Sequence, residues 1–285
     1  MPTPSKAGVA ELFKKSGSAI GLDDASSGIL IHNLNASIMP LCSGSPFLAE
    51  EAETDDFRVL MLMLDQSGSM EPVADDLIEC VNDVLIPGLL GGALNAVGAI
   101  RVGGIVFGSN VKPLWGGGFI PLQKLPPLTA KEYSISGATA LHQAVLDGVT
   151  ATSAYALELI HKTGSNPEVV IVVLSDGANN QAPLDPDPVY QVLSKLSPEL
   201  FTLAFLGFET SERVDFRAVA QAMGFRDIQE SKAKPGETLD ERRRRFRHLM
   251  NVFSGSVVGR MSTSRVGKAP ASGSTGFWQS PPATP

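Results

Sequence analysis

Asp65, Ser67 and Ser69 occupy alternate positions in Asp65-Gln66-Ser67-Gly68-Ser69-Met70, directly behind the apolar run Val59 to Leu64. In an extended loop alternate residues point the same way, so one carboxylate and two hydroxyls converge while Gly68 lets the backbone approach closely. Such hard oxygens suit Mg²⁺, with Mn²⁺ or Ca²⁺ as alternatives, and not the softer metals. Mg²⁺ takes about six oxygens at roughly 2.0–2.1 Å, so three side chains do not complete its shell. Two further polar loops offer donors: Thr139 in Ser136-Gly137-Ala138-Thr139-Ala140-Leu141, ahead of a helical stretch, and Asp176 in Ser175-Asp176-Gly177, behind a second apolar run. Neighbouring strands lie about 4.8 Å apart, so loops at one sheet edge can reach one ion. The candidate metal ligands are therefore Asp65, Ser67, Ser69, Thr139 and Asp176.

The elements that must bring these loops together are written in the hydropathy. Val59–Leu64, Val169–Leu174 and Phe201–Phe208 are apolar runs of strand length, and Ile100–Phe107 is another strand. Val111–Trp115 reads as an antiparallel partner across Gly108-Ser109-Asn110, and a short strand is expected around Ile228. Between them, Val73, Leu77, Cys80 or Val81, and Val84 recur at helical spacing up to Pro87-Gly88. Leu141, Val145, Val149, Thr152, Ala156 and Ile160 form a second stripe, and helices are also predicted over Val189–Leu196, Asp215–Met223 and Leu239–Phe253. Strands alternating with helices imply a doubly wound α/β fold: a mostly parallel central sheet with one antiparallel edge strand and helices on both faces. Ligands of such sheets bind beyond the carboxyl ends of the strands, where Asp65 and Asp176 fall.

These five positions resemble the metal-ion-dependent adhesion site (MIDAS) of the von Willebrand factor A (vWA) domain family: Asp-x-Ser-x-Ser, a Thr in a Gly-rich loop, and an Asp behind a core strand. The resemblance covers about residues 57 to 258 and extends to order and spacing; Ala138 stands where a second glycine is common. It implies that Ser67, Ser69 and Thr139 ligate Mg²⁺ directly, that Asp65 and Asp176 do so directly or through water, and that a partner protein's Glu or Asp fills the open position. Neutral hydroxyl ligands leave the ion under-neutralised, which attracts an incoming carboxylate. The implied function is a protein-binding adaptor or assembly module and not an enzyme. Intracellular proteins of this kind include companions of AAA-type ATPases and members of bacterial stress and tellurite-resistance sets.

Composition narrows the classes. The 285 residues carry 30 acidic against 23 basic side chains, a net charge of -7, which speaks against a nucleic-acid binder because phosphate neutralisation needs basic surface. Cys42 and Cys80 stand in dissimilar contexts and imply neither a disulfide framework nor a thiolate zinc site. The first residues lack a charged region leading into an apolar one, and no apolar stretch reaches the roughly 18–20 residues of a membrane span. A soluble cytoplasmic protein is expected. Residues 1–52 read as an N-terminal arm or extension, with a short helix near Ala10–Phe13 and a Pro/Ser/Gly-rich patch at Met39–Phe47 that fits either an extra strand or a mobile arm. Residues 53–260 form the vWA-like domain, and the Ser/Pro/Gly-rich stretch 261–285 is expected to be disordered. Phe277-Trp278 stands out there, as chance or as a docking motif for a partner.

Other readings of the same residues exist. Asp65 and the serines also suit a strand-to-helix turn. The metal loop could be architectural in a subunit of a larger assembly. A strand-terminal Asp can accept a phosphoryl group, which would make Asp65 the nucleophile of a metal-dependent phosphotransfer or hydrolytic enzyme. However, there is no Gly-x-Ser-x-Gly, phosphate-loop or His-Glu-x-x-His motif, and His32, His142, His161 and His248 adjoin no obvious nucleophile. Arg242–Arg245 with Arg247 read as a solvated helix face opposite Leu239, Phe246, Leu249, Met250 and Phe253.

Overall fold

The computed structural model describes residues 5–42, 57–92, 100–177, 180, 185–209, 214–262 and 277–278. Alternation of side chains along the apolar runs dictates the core. In β1 (Arg58–Asp65), Val59, Met61 and Met63 enter one apolar cluster while Leu60, Leu62 and Leu64 enter another. The same split recurs in β5 (Glu168–Ser175) and β6 (Phe201–Phe208). A strand apolar at every position must be covered on both faces, which is the demand of a doubly wound sheet.

The sheet meets that demand. With β2 (Ile100–Phe107), β3 (Val111–Pro113), β4 (Ile120–Pro121) and β7 (Asp227–Ser231), its order is β3-β2-β1-β5-β6-β7, and β4 also pairs with β2. β1, β2, β5, β6 and β7 run parallel, and the short β3 and β4 are both antiparallel to β2. The chain steps outward from β1 to β2, then returns across β1 to β5 and continues to β6 and β7. Strand order therefore reverses between β1 and β5, and the crevice there holds the ends that carry Asp65 and Asp176.

The return crossing is made by α6 (Leu141–Thr163), which lies so close to β1 that a Cβ on Gly148 would overlap the Met63 thioether methyl. The outer side of α6 is covered by the N-terminal extension, where the sequence suggested only a short helix. The extension contains α1 (Lys6–Ser16), α2 (Asp24–Asn33) and α3 (Met39–Cys42), all packed on α6. Val9, Phe13, Ile20, Leu30, Ile38 and Leu41 are buried there, so α6 is enclosed on nearly every side. Neither an extra strand nor an arm forms at Met39–Cys42; Ser43–Phe47 lie outside the described residues.

Helices α7 (Pro186–Leu193) and α8 (Phe216–Met223) share that face, whereas α4 (Ala74–Glu79), α5 (Ile86–Gly92) and α9 (Leu239–Ser262) cover the other. Pro87-Gly88 does not end the helix that follows Asp65. A π-helical segment, Cys80–Leu85, links α4 to α5, and its wider turn accommodates the proline ring and missing N–H just beyond it. α9 runs past Phe253 to Ser262: Ser256 Oγ donates to Val252 O at 2.8 Å, Val257 is buried, and Arg260 pairs with Glu168 at 2.6 Å.

The arginine run is not simply a solvated face. Arg243 and Arg247 both reach the buried Asp76 of α4, at 3.3 and 2.7 Å. Arg245 is held by Glu237, Ser231 O and Glu209 O at 2.7–2.9 Å, with its guanidinium 4.2 Å from the Phe208 ring centroid. Phe277 and Trp278, expected in a tail that buries nothing, pack against the apolar cluster of α4, α5 and α9. Cys42 and Cys80 are both buried free thiols. Among the described residues no helix is long and apolar enough to cross a membrane.

Candidate metal site

Backbone hydrogen bonds assemble three loops into one platform. Beyond Asp65 at the end of β1, Gln66 N donates to Phe107 O at 2.8 Å and Gln66 O accepts from Ser136 N at 2.7 Å. Gly68 N then donates to Gly137 O at 3.2 Å, and Ala140 N to Gly108 O at 2.9 Å. Gly137 has φ +70°, and a Cβ there would collide with the Ser109 hydroxyl, which itself accepts from Ala138 N at 2.9 Å. Only glycine lets the loops close at this point.

The side chains meet on that platform. Asp65 Oδ1 accepts from Ser67 N at 2.8 Å and Oδ2 from Ser175 Oγ at 2.5 Å. The Ser67 and Ser69 hydroxyls lie 3.2 Å apart, and Ser69 Oγ donates to Asp176 Oδ1 at 2.8 Å. Thr139 Oγ1 would be 3.6 Å from a Cβ on Gly177, so its hydroxyl faces the turn that carries Asp176. All five positions singled out from sequence thus gather at one end of the sheet. Asp65, Ser67, Thr139 and Asp176 are buried, and Ser69 is exposed, which sets the solvent side of the cluster.

Three further residues hold the site and were not evident from the sequence. Asn180 clamps Thr139: its Oδ1 accepts from Thr139 N at 2.6 Å, and its own N–H donates to Thr139 O at 3.2 Å. The buried Tyr133 hydroxyl donates to Asp65 O at 2.5 Å. Asn82, on the π-helical segment, grips Leu128 through both its N–H (2.7 Å) and its carbonyl (2.9 Å), anchoring the loop that carries Tyr133. A hydroxyl beside a strand end, as in Ser175, is a readable signal; Asn180, Tyr133 and Asn82 carry none, because each acts across 41 to 68 positions of sequence.

Burial pushes the Asp65 carboxyl up to about 6, against the lowering effect of the Ser175 and Ser67 hydrogen bonds and with the Asp176 charge adding to the rise. Burial, then the charges of Asp65 and Asp176, hold Tyr133 well above the usual tyrosine value, so it remains a donor. Among the described residues no three His, Cys, Asp or Glu side chains cluster to hold a metal. The donor set is two carboxylates with three hydroxyls, and Asp65 meets only neutral donors. That composition fits a hard divalent cation, whose charge would return Asp65 to the ionised form. Of the helix histidines, His161 Nε2 shares a hydrogen bond with Ser16 Oγ at 2.7 Å, and His142 is buried.

No family model and no curated protein matches the chain. Solved structures similar to it include a von Willebrand factor type A structure from Catenulispora acidiphila (17% identity, TM-score 0.42, covering 68% of this chain and 43% of that one). Another is proximal thread matrix protein 1 from the mussel byssus with a zinc-occupied MIDAS motif (12%, 0.44, 71% and 49%). A third is the manganese-loaded Plasmodium vivax TRAP protein (15%, 0.37, 69% and 74%). The chain spans less than half the length of the first two of these.

Proposed function

We propose that the chain is a vWA-type protein-binding module whose Asp65, Ser67, Ser69, Thr139 and Asp176 hold a divalent cation, Mg²⁺ in the first instance, and that a Glu or Asp of a partner protein binds there. The observation that carries this reading is the continuous hydrogen-bonded chain Asp65, Ser67, Ser69, Asp176 with the Thr139 hydroxyl beside it. When bound, the cation supplies an electron-deficient position for a carboxylate oxygen. The protein's own contribution is preorganisation: Ser175 and Ser67 N–H orient the Asp65 carboxylate, Asn180 fixes Thr139, and the exposed Ser69 faces the side from which a ligand arrives.

An adaptor or assembly role in the cytoplasm, as a companion of an AAA-type ATPase or within a bacterial stress or tellurite-resistance set, belongs to the same reading by family analogy. Catalysis by Asp65 is not part of it. Both Asp65 oxygens are already engaged and the residue has 0% exposure, a poor setting for an attacking nucleophile.

The test is calorimetric titration of the purified chain with Mn²⁺ and Mg²⁺, followed by a Glu-containing peptide, for wild type and Asp65→Ala/Ser67→Ala. Metal uptake with peptide binding that disappears on chelation is expected. Saturable peptide binding that ignores both chelator and the double substitution would sink the metal-capture reading. Turnover of a phosphorylated substrate abolished by Asp65→Asn would replace it with the enzyme.

A further inference from the structure

Phe277 and Trp278 are seated on the domain, far along the chain from the elements they touch. Their rings meet edge to face, with centroids 4.8 Å apart and planes at 77°. Both side chains are half-buried against the apolar cluster that includes Phe208, Phe246, Met250 and Phe253. Phe277 N donates to Asp227 Oδ1 at 3.0 Å, at the first residue of β7. Two aromatic rings and one backbone N–H caught by a carboxylate make a specific reading of a short peptide: the rings supply apolar area and the hydrogen bond sets its position.

This seat is separate from the metal loops. Asp227 is in register with Ala204, Ala204 with Val172, and Val172 with Leu62, three residues before Asp65. Three strand spacings of about 4.8 Å lie between β7 and β1. Residues 263–276 connect the end of α9 to Phe277. At no more than about 3.6 Å per residue, so short a tether keeps the aromatic pair near its own domain, at an effective concentration on the order of millimolar.

The geometry points to a receptor groove beside β7 for an aromatic dipeptide, occupied in the intact chain by its own Phe277-Trp278 as a tethered ligand. The tether excludes free peptides of the same chemistry, and the groove accepts them only when the tail is removed or displaced. This assignment does not depend on the metal site.

The experiment uses a synthetic peptide of residues 273–283, read by the emission shift and anisotropy of its Trp278. It is titrated into the intact chain, a chain ending at Ser262, and full-length Phe277→Ala/Trp278→Ala. The truncated chain and the double variant are expected to bind it with a blue shift, and the intact chain at least about tenfold more weakly. A peptide carrying Phe277→Ala is expected to lose binding. In the intact chain with Trp115→Phe, Trp278 is expected to resist iodide quenching several-fold better than in the free peptide, a readout that needs no truncation. Quenching equal to the free peptide would overturn the proposal, as would failure of both folded receptors to bind. Sedimentation showing a dimer that the double variant abolishes would also overturn it, by seating the tail on a second copy.

Discussion

Ser69 donates its hydroxyl to Asp176 Oδ1 across 2.8 Å, joining residues 107 positions apart at the crevice where strand order reverses. Asp176→Asn can keep an acceptor for this bond while removing the charge that a cation needs. The thermal midpoint is expected to stay within a few degrees, and Mn²⁺ affinity to fall by about 10- to 100-fold, measured by calorimetry and melting on one preparation.

Asn180→Ala and Tyr133→Phe probe positioning. Neither side chain belongs to the proposed ligand set, yet one fixes the Thr139 backbone and the other the Asp65 carbonyl. Each is expected to weaken metal binding about tenfold. Tyr133→Phe should also cost about 1–2 kcal/mol in urea unfolding, because a buried carbonyl loses its donor.

Asp147, on α6, accepts from Asn35 N at 2.9 Å and has 0% exposure. Burial raises its carboxyl to about 6, opposed by hydrogen bonds from Asn35 and Gln143 and by the Lys6 charge. Because the folded value lies above the unfolded one, the native state holds the proton more tightly. The stability this contributes is fully present below about pH 4 and is lost as pH rises through about 6. Asp147→Asn removes the titration, so the variant should gain about 3 kcal/mol relative to wild type between pH 4 and 7. Parallel urea curves that keep a constant separation across this range would contradict it.

Arg245 gathers Glu237, Ser231 O and Glu209 O around one guanidinium. Its hydrogen bonds hold the Glu237 carboxyl below the usual range. Since that folded value is depressed, its stability is present above the unfolded value near 4.5 and is lost as pH falls through the folded one. Arg245→Met should destabilise by about 1–3 kcal/mol at pH 7, because the Glu237 carboxylate and the Glu209 carbonyl lose their donor while Ser231 O keeps the Glu209 N–H, and by less in strong acid. Chemical denaturation at the two pH values measures the difference.

Deleting residues 1–38 would strip the outer cover from α6. Val9, Phe13, Ile20, Leu22, Leu30 and Leu34 are all buried, and at about 1.5–3 kcal/mol each their loss rivals the 5–15 kcal/mol that holds a typical domain together. The shortened chain is expected to lose its cooperative melting transition and bind a hydrophobic dye. A sharp, unchanged transition would show that 57–262 folds without the extension.

The sequence by itself determined the core strands β1, β5 and β6, because a run apolar at nearly every position has no other stable place than a sheet covered on both faces, whereas the two-residue β4 (Ile120–Pro121) was not expected. It also determined the candidate donors: Asp65, Ser67, Ser69 and Asp176 lie at or just behind the ends of such strands and Thr139 in the polar loop ahead of a helical stretch, positions that the local sequence marks. Only the tertiary structure decided how those donors are held, since Asn180, Tyr133 and Asn82 act on backbone atoms from distant segments and have no local pattern. The same holds for what covers α6, what the arginines of α9 reach and where Phe277-Trp278 rests. Each is a contact between surfaces that are individually unremarkable, and complementarity between surfaces exists only once the chain is folded.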